Sequence, residues 1–210
     1  MKTNIYVDGF NVYYGAVKGT GFKWLDLAAL CKMLFPRNEI NRIRYFTALV
    51  DARPSDLQQP VRQQTYIRAL ETIPSLSVHL GQFRTRPARM ALADPPASGP
   101  KTVEVLKTEE KGSDVNLATY LLLDAFEKDC EVAIVFSNDA DLKEPINVAK
   151  NKLGIAVGVV NPQQPSKRSL DLEPSFFKQL RKGPVAACQF PETMTDDRGT
   201  FRKPAAWSPP

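Results

Sequence analysis

The stretch Ala133–Leu142 (AIVFSNDADL) decides the fold, because an apolar run ends there in two aspartates one residue apart. A continuous apolar run flanked by polar residues indicates a strand that is buried on both faces, as in a parallel sheet. Open α/β sheets bind ligands at the carboxyl ends of their strands, so Asp139 and Asp141 lie where a site is expected. The alternative is that either aspartate only caps the following helix, since Asp is a common N-cap residue.

A further carboxylate follows the first strand of the chain. Residues Asn4–Val7 predict a short strand, and the next residues are Asp8–Asn11 (DGFN). Asp8 therefore stands at the carboxyl end of that strand. The side chain of Asn11 can orient Asp8 by hydrogen bonding or cap the next segment. A simple Asx-turn is the alternative explanation.

The third informative stretch is Lys111–Val115 (KGSDV). The apolar residues from Val115 to Phe126 keep helical spacing, which predicts a helix with Ser113 as its N-cap. Asp114 then lies in the first turn, where the helix dipole favours an anion. Asp114 is either such a dipole partner or a third acid that faces the sheet edge.

The remaining chain alternates between strand-like and helix-like segments, which indicates an α/β domain with a mostly parallel sheet. Residues 84–100 are predicted to form a long proline-rich loop with a basic beginning. Residues Thr102–Leu106 alternate like a strand that can pair antiparallel with the strand before the loop.

The carboxyl-terminal part carries three predictions. Residues 163–168 indicate a polar, basic loop, and Glu173–Arg181 a short closing helix. The segment 183–210 is proline-rich and has little periodicity, so we expect a poorly ordered tail. The preceding residues 1–182 are expected to form the domain.

Composition excludes several classes of site. The single histidine, His79, rules out paired-histidine nucleases and His-rich metal centres within one chain. The three cysteines are widely spaced and give neither a disulfide framework nor a zinc pattern. The net charge of +5 is compatible with a polyanionic partner. There is no signal-peptide pattern and no apolar stretch of membrane-spanning length, so we expect a cytoplasmic protein without a membrane partner.

The predicted chemistry follows from the acids at strand ends and helix starts, which are Asp8, Asp114, Asp139 and Asp141. Four neighbouring carboxylates repel one another, and this repulsion raises their pKa values. A bound Mg²⁺ or Mn²⁺ resolves the conflict, because hard cations take oxygen ligands. The sequence has no Walker loop, no dinucleotide fingerprint after the first strand and no Gly-x-Ser-x-Gly elbow. We therefore predict metal-assisted hydrolysis of a phosphodiester.

Three motifs together resemble those of a known family. Residues Tyr6–Asn11 (YVDGFN), Lys111–Val115 (KGSDV) and Ser137–Leu142 (SNDADL) are similar to the motifs of the NYN domain. This domain belongs to the PIN-like nuclease superfamily, and the bacterial LabA-like group is the branch that the chain resembles. The resemblance covers roughly Met1 to Lys182.

The resemblance implies a Rossmann-like three-layer α/β/α sandwich and metal-dependent ribonuclease activity with Mg²⁺ or Mn²⁺. By motif match, Asp8, Asp114 and Asp139 would bind the metal. Asp141 would be a fourth acid, and Asn11 an orienting group among the catalytic residues.

The chain departs from the family pattern at two positions. Asn138 stands where Gly is usual, and Leu142 where Phe is usual. Asn138 can still adopt a tight turn, and Leu142 changes the packing behind the site. Neither departure removes a ligand.

The functional prediction is an endoribonuclease that prefers single-stranded RNA. Phe10, Tyr13 or Tyr14 is a candidate for stacking on a base. The residues expected to line the phosphate path are Arg84, Arg86, Arg89, Lys107 and Lys111. Two alternatives stay open: an RNA-binding or regulatory module with little chemistry, and a structure-specific DNA nuclease. The oligomeric state also stays open, with a homodimer among the possibilities.

Overall fold

A central parallel sheet organises the computed structural model, which describes residues 1–164, 169 and 171–207. Within these residues, the strands of the main sheet are β1 (Lys2–Asp8), β2 (Glu39–Ala48), β3 (Leu76–Ala91), β4 (Thr102–Lys111), β5 (Val132–Phe136), β6 (Ala156–Asn161) and β7 (Phe176–Gln179). Their order across the sheet is β4-β3-β2-β1-β5-β6-β7. All neighbours are parallel except β3 and β4, which form an antiparallel ribbon.

Helices cover both faces of this sheet. They are α1 (Gly9–Val12), α2 (Leu27–Leu34), α3 (Gln59–Glu71), α4 (Ser113–Phe126), α5 (Lys143–Asn151) and α6 (Lys182–Ala187). A π-helical turn follows α1, and a short hairpin of β8 (Thr193–Asp196) and β9 (Gly199–Arg202) follows α6. In the part of the chain that the structure describes, no helix is long and apolar enough to cross a membrane.

Two hydrophobic cores lie on opposite sides of the sheet, because successive strand residues point to opposite faces. Ile5, Val7 and Ile134 face the core that contains α2, α6 and the carboxyl-terminal segment. Tyr6 and Val135 face the core beneath α4 and α5. The fold is therefore the expected three-layer α/β/α sandwich, with β5 buried along its whole length as predicted.

The predicted proline-rich loop is wrong for its first part, because β3 extends to Ala91. Its residues pair with β4 in unbroken register from Gln82 opposite Lys111 to Ala91 opposite Thr102. Pro87 is tolerated there because the two-stranded ribbon has free edges. The expected antiparallel pairing of Thr102–Leu106 is confirmed.

The predicted closing helix is also wrong, since Phe176–Gln179 forms strand β7. This segment pairs with the open edge of β6, where Phe176 lies opposite Gly158. The Phe176 ring occupies the space that a side chain at position 158 would fill. Most of the predicted polar loop, residues 165–168, lies outside the described residues.

The poorly ordered tail is a further incorrect prediction for residues 183–207, which fold back onto the domain. Apolar side chains in this segment pack around Trp24, whose Nε1 donates a hydrogen bond to the Pro191 carbonyl at 2.8 Å. The buried residues of the segment are Val185, Cys188, Phe190, Phe201 and Trp207. These residues are widely and irregularly spaced in the sequence, because they reach the core from several turns and strands. Their burial therefore could not be predicted from a helical or strand periodicity. Residues 208–210 lie outside the described part of the chain.

Candidate active site

The carboxyl ends of β1 and β5 lie side by side, with Val7 opposite Phe136. This register brings Asp8 next to the residues that follow β5. Asp8 is 6% exposed. It accepts hydrogen bonds from the Asn11 backbone N–H at 2.8 Å and from Ser137 Oγ at 2.9 Å. Asp8 therefore caps α1 and is also held by Ser137, which follows the neighbouring strand β5. The residue that forms the Asx-type turn is thus the same residue that was predicted to belong to the site.

Close packing holds the turn after Asp8 in place. A Cβ at Gly9 would lie 2.6 Å from the Tyr45 hydroxyl and 2.8 Å from the Phe46 carbonyl. Only glycine fits there without displacing β2. The sequence Asp-Gly therefore sets the distance between Asp8 and the Tyr45 ring.

Asp139 continues the same hydrogen-bonded chain. Its backbone N–H donates to Ser137 Oγ at 3.1 Å, and its Oδ1 accepts from the Asp141 backbone N–H at 3.0 Å. Asp139 is thus the cap of the 3₁₀ turn Ala140–Leu142, which is the capping alternative that the sequence left open for Asp139 and Asp141. Asp141 is exposed and lies outside the cavity that Asp139 lines.

The Asn11 side chain holds the turn after β5, whereas the sequence predicted that it orients Asp8; Asp8 is instead bonded by the Asn11 backbone N–H. Asn11 Oδ1 accepts from the Asn138 backbone N–H at 3.2 Å and from Gln163 Nε2 at 3.3 Å. At the departure from the family pattern, Asn138 Oδ1 accepts from the Ser169 backbone N–H at 2.8 Å. The asparagine thus adds a link that glycine cannot make.

Asp114 lies in the first turn of α4, as predicted, but the cap differs from the prediction. Gly112, at a φ of 104°, is the N-cap, and Ser113 is already helical. The Ser113 hydroxyl and N–H instead donate to Glu110 Oε1, at 2.8 and 3.1 Å. Glu110 lines the same cavity as Asp8, Asp114 and Asp139, and the sequence reasoning missed it. The sequence feature that could have identified it is its position two residues before Gly112 in the Gly-Ser-Asp turn.

Burial and neighbouring negative charges raise the pKa of two acids at this edge, Asp8 and Asp114. For Asp8, burial raises the pKa, and the hydrogen bonds from Asn11 and Ser137 only partly oppose it. For Asp114, burial and then the charges of Asp8, Asp139, Glu110 and Asp141 raise the pKa to about 6. Among the described residues, no lysine or arginine forms a salt bridge with any of these five acids. The described salt bridges all lie elsewhere. Within the described residues, the negative charge of these acids is therefore uncompensated by any salt bridge.

The donor set suits a hard divalent cation, because it consists of carboxylate oxygens with excess negative charge. Asp8, Asp114 and Asp139, which line the cavity together with Glu110, could hold Mg²⁺ or Mn²⁺. Within the described residues, however, no three His, Cys, Asp or Glu side chains are already arranged as a metal site. The structure thus shows the carboxylates that could bind a cation and the repulsion between their negative charges.

The predicted phosphate path does not converge on the acids. Alternation along the ribbon puts Arg84, Arg86, Lys107 and Lys111 on one face and Glu110 on the other. Glu109 lies among these basic residues, with its carboxylate 2.6 Å from Lys107 Nζ, 3.7 Å from Arg86 and 3.8 Å from Lys111.

Arg89 is separated from the acids by distance along the ribbon. It shares a face with Phe83, which lines the cavity, but stands six residues further along, or about 20 Å. The ribbon remains basic on its outer face, away from the cavity.

The cavity beside the acids has a volume of about 530 Å³ and is walled by aromatic and basic side chains that the sequence reasoning largely missed. The cavity has an acid part beside Asp8 and an aromatic part beside Tyr66. Tyr45 lies between these two parts, because its hydroxyl lies beside Gly9 and its ring centroid is 6.3 Å from that of Tyr66. The further lining residues include Lys23, Arg53, Gln59, Arg62, Gln63 and Trp207. The part of this wall that α3 supplies could have been predicted, because positions 59, 62, 63 and 66 lie on one face of that helix.

Comparison with known proteins agrees with this fold. The family model of the NYN domain matches residues 2–178. The chain is 29% identical over 236 aligned positions to the 6-hydroxy-3-succinoylpyridine 3-monooxygenase HspA of Pseudomonas putida (strain DSM 28022 / S16), covering 99% of this chain and 75% of that protein.

A solved structure shares the fold. The protein of unknown function VPA0982 from Vibrio parahaemolyticus RIMD 2210633 superposes with a TM-score of 0.55 at 17% identity, covering 86% of this chain and 93% of that one.

Proposed function

Because the chain belongs to the NYN domain family, whose membership implies nuclease-type activity, we propose that it is a metal-dependent endoribonuclease acting on single-stranded RNA. The observation that carries the proposal is the uncompensated group of carboxylates at the carboxyl edge of β1 and β5. Burial and mutual repulsion raise the pKa of Asp8 and of Asp114. Such a group becomes stable when it binds a cation, and RNA phosphates are the substrate that such a cation attracts.

Each residue of the site has a distinct role in this proposal. Asp8, Asp114 and Asp139 would hold Mg²⁺ or Mn²⁺, which when bound lowers the pKa of water and neutralises phosphate charge. Ser137 positions two of these acids, since its Oγ donates to Asp8 and accepts from the Asp139 N–H. Asn11 holds the backbone of Asn138 and thereby the turn that presents Asp139.

The test uses labelled single- and double-stranded RNA and DNA, each with Mg²⁺, Mn²⁺ or EDTA. We expect single-stranded RNA cleavage with metal and none in EDTA. Asp139→Asn should reduce cleavage by about 1,000-fold, because the metal contributes several kcal/mol to the transition state. Circular dichroism and the melting temperature should stay unchanged. Asp197→Asn, at an exposed acid away from the cavity, is the matched control.

The other outcomes each identify an alternative. Retardation of RNA in a gel without cleavage indicates a binding module. Cleavage of DNA but not RNA indicates a DNA nuclease. Equal cleavage by wild type and Asp139→Asn would exclude the proposed mechanism.

A second candidate function is hydroxylation of a small pyridine-type acid. It is favoured by the similarity to the monooxygenase over 99% of this chain, including the segment beyond the NYN match. A monooxygenase needs O₂ and a two-electron donor, so the assay supplies 6-hydroxy-3-succinoylpyridine, a flavin and NADH or NADPH in air. Substrate-dependent consumption of the nicotinamide with a hydroxylated product supports this candidate, and its absence excludes it.

A further inference from the structure

We propose that the part of the cavity beyond the acids is a binding site for one planar heteroaromatic ring that carries an anionic group. The proposal rests on the walls of the cavity, its unpaired cations and its size. It does not require the nuclease activity, because ring binding can be measured with the metal removed.

The walls are aromatic and held in fixed orientations. The Tyr66 ring meets Tyr45 edge-on at 6.3 Å and Trp207 at 6.1 Å. The Tyr66 hydroxyl donates to the Leu25 carbonyl at 2.9 Å, which fixes the ring in place. Tyr13 is half-buried, lines the same cavity and contacts Tyr14 edge-on. Aromatic walls with fixed rings favour a planar ligand that stacks or packs edge-to-face.

The cations around these rings favour an anionic substituent. Lys23, Arg53 and Arg62 all line the cavity. Arg62 is paired with Asp56. In the described part of the chain, Lys23 and Arg53 form no salt bridge, so they are available to an anion.

The size also fits. A volume of about 530 Å³ lies within the usual range for small-molecule pockets and exceeds what one ring needs. The ring part and the acid part are continuous through Tyr45, whose hydroxyl lies beside Gly9 and whose ring contacts Tyr66.

The ring site depends on a segment outside the matched domain. The NYN match ends at residue 178, whereas Trp207 supplies one wall of the cavity. Trp207 is held there by Trp24 and Tyr66, with ring centroids at 6.2 and 6.1 Å. The carboxyl-terminal segment thus gives this NYN domain a wall that residues 2–178 alone do not provide.

Two sources can supply the same ligand chemistry. One is a nucleotide of a bound RNA, with its base as the ring and its phosphate as the anion. The other is a free pyridine-type carboxylic acid. Both present a heteroaromatic ring next to a negative charge, and the experiment has one arm for each.

The test titrates the full chain, in EDTA, with the four nucleoside 5′-monophosphates in one arm and nicotinic and 6-hydroxynicotinic acid in the other. Ribose 5-phosphate and cyclohexanecarboxylate, which lack an aromatic ring, are the ligand controls. Tryptophan fluorescence reports binding, because Trp207 lines the cavity, and calorimetry gives the affinity. We expect the aromatic anions of at least one arm to bind and the controls not to bind. The arm that binds more tightly identifies the source.

The variants assign the binding to this cavity. Tyr13→Leu should weaken the binding about 10-fold or more, since stacking contributes roughly 1–3 kcal/mol per ring. Tyr13→Phe should retain binding, and Arg53→Gln should weaken it for all anionic ligands. Phe126→Ala, at a ring that is 74% exposed and lies outside the cavity, is the control.

Three results would overturn the proposal. They are equal binding of ribose 5-phosphate and the nucleotides, unchanged affinity in Tyr13→Leu, and no binding by either arm below about 1 mM. Loss of RNA cleavage with intact ring binding would instead count against the nuclease proposal alone.

Discussion

The two ends of β1 each carry a group of acids, and the groups differ in how their charge is compensated. Near the start of the strand, Asp124 is 1% exposed. Its carboxylate accepts hydrogen bonds from both Nε and Nη2 of Arg44, at 2.9 and 2.7 Å, and from the Tyr6 hydroxyl at 2.8 Å. At the other end, the described hydrogen bonds to Asp8 come from uncharged groups, among them the Asn11 backbone N–H and Ser137 Oγ.

The pKa values follow this difference. Hydrogen bonds from Asn4, Arg42 and Lys2 outweigh the effect of burial and hold the pKa of Asp129 well below its usual range. At the carboxyl edge, burial and neighbouring carboxylates raise the pKa of Asp114 to about 6. Within the described residues, salt bridges thus neutralise one group of acids, whereas no salt bridge neutralises the other. Asp124 and Asp129 therefore stabilise the fold, whereas a cation bound at the carboxyl edge would relieve the repulsion there.

The largest expected effect on stability comes from the compensated group. Asp124→Ala should lower the free energy of unfolding by about 3–5 kcal/mol, because it leaves the Arg44 guanidinium, 12% exposed, without its partner. Urea unfolding measures the change. Asp139→Asn is the matched substitution at the other group and should leave stability nearly unchanged. A loss below about 1 kcal/mol for Asp124→Ala would show that the pair is dispensable.

Divalent cations should stabilise the protein only through the uncompensated group. At 100 times its dissociation constant, Mg²⁺ or Mn²⁺ should add about 2.7 kcal/mol, or roughly 5–10 °C in melting temperature. The double variant Asp114→Asn/Asp139→Asn should lose this shift, since it removes two of the three proposed ligands. Asp197→Asn should keep it. An equal shift in the double variant would place the cation elsewhere.

The raised pKa of Asp114 predicts a pH-dependent effect of its neutralisation. The folded protein holds this proton more tightly than the unfolded chain, so the stabilisation is present near pH 4 and is lost as the pH rises to about 6. Asp114→Asn without metal should therefore match wild type near pH 4 and exceed its stability above about pH 7. After allowance for solvent screening, we expect a gain of about 1 kcal/mol. Urea unfolding at both pH values measures it, and a pH-independent difference would contradict the prediction.

The smallest effect should come from Asp141, which is exposed and lies outside the cavity. Asp141→Asn should change stability by less than about 0.5 kcal/mol. It should reduce cleavage by less than about 10-fold, because Asp141 acts on the site only through its charge. Kinetics beside Asp139→Asn measure the ratio, and an equal loss in both variants would make Asp141 a full member of the site.

The edge of the sheet could be predicted from sequence because local patterns determine it. The apolar run before Ser137 identifies a buried strand, and parallel neighbours end at the same edge, so Asp8 and Asp139 had to lie close together. The helical spacing after Val115 likewise located Asp114. The cap at Gly112 escaped because a left-handed glycine and a serine cap give similar sequences.

The aromatic part of the cavity could not be predicted, because it depends on contacts between distant segments. Trp207 reaches Tyr66 only through the packing of residues 183–207 around Trp24. The orientation of the basic residues failed for another reason. Residues 84–100 were predicted to form a proline-rich loop, and in a loop the alternation that separates Arg84 and Arg86 from Glu110 cannot be predicted.

The position of Trp207 has a consequence for the protein during its synthesis. Asp8 leaves the ribosome about 10–40 s before Trp207 at usual translation rates. Until Phe190 and Trp207 emerge, Trp24 lacks the rings that cover it, and the core on that side stays open. The acids of the site are thus synthesised before the core around Trp24 can be completed. A protein proposed to cut RNA therefore completes its binding cavity only after the ribosome has read nearly all of the codons for the described chain.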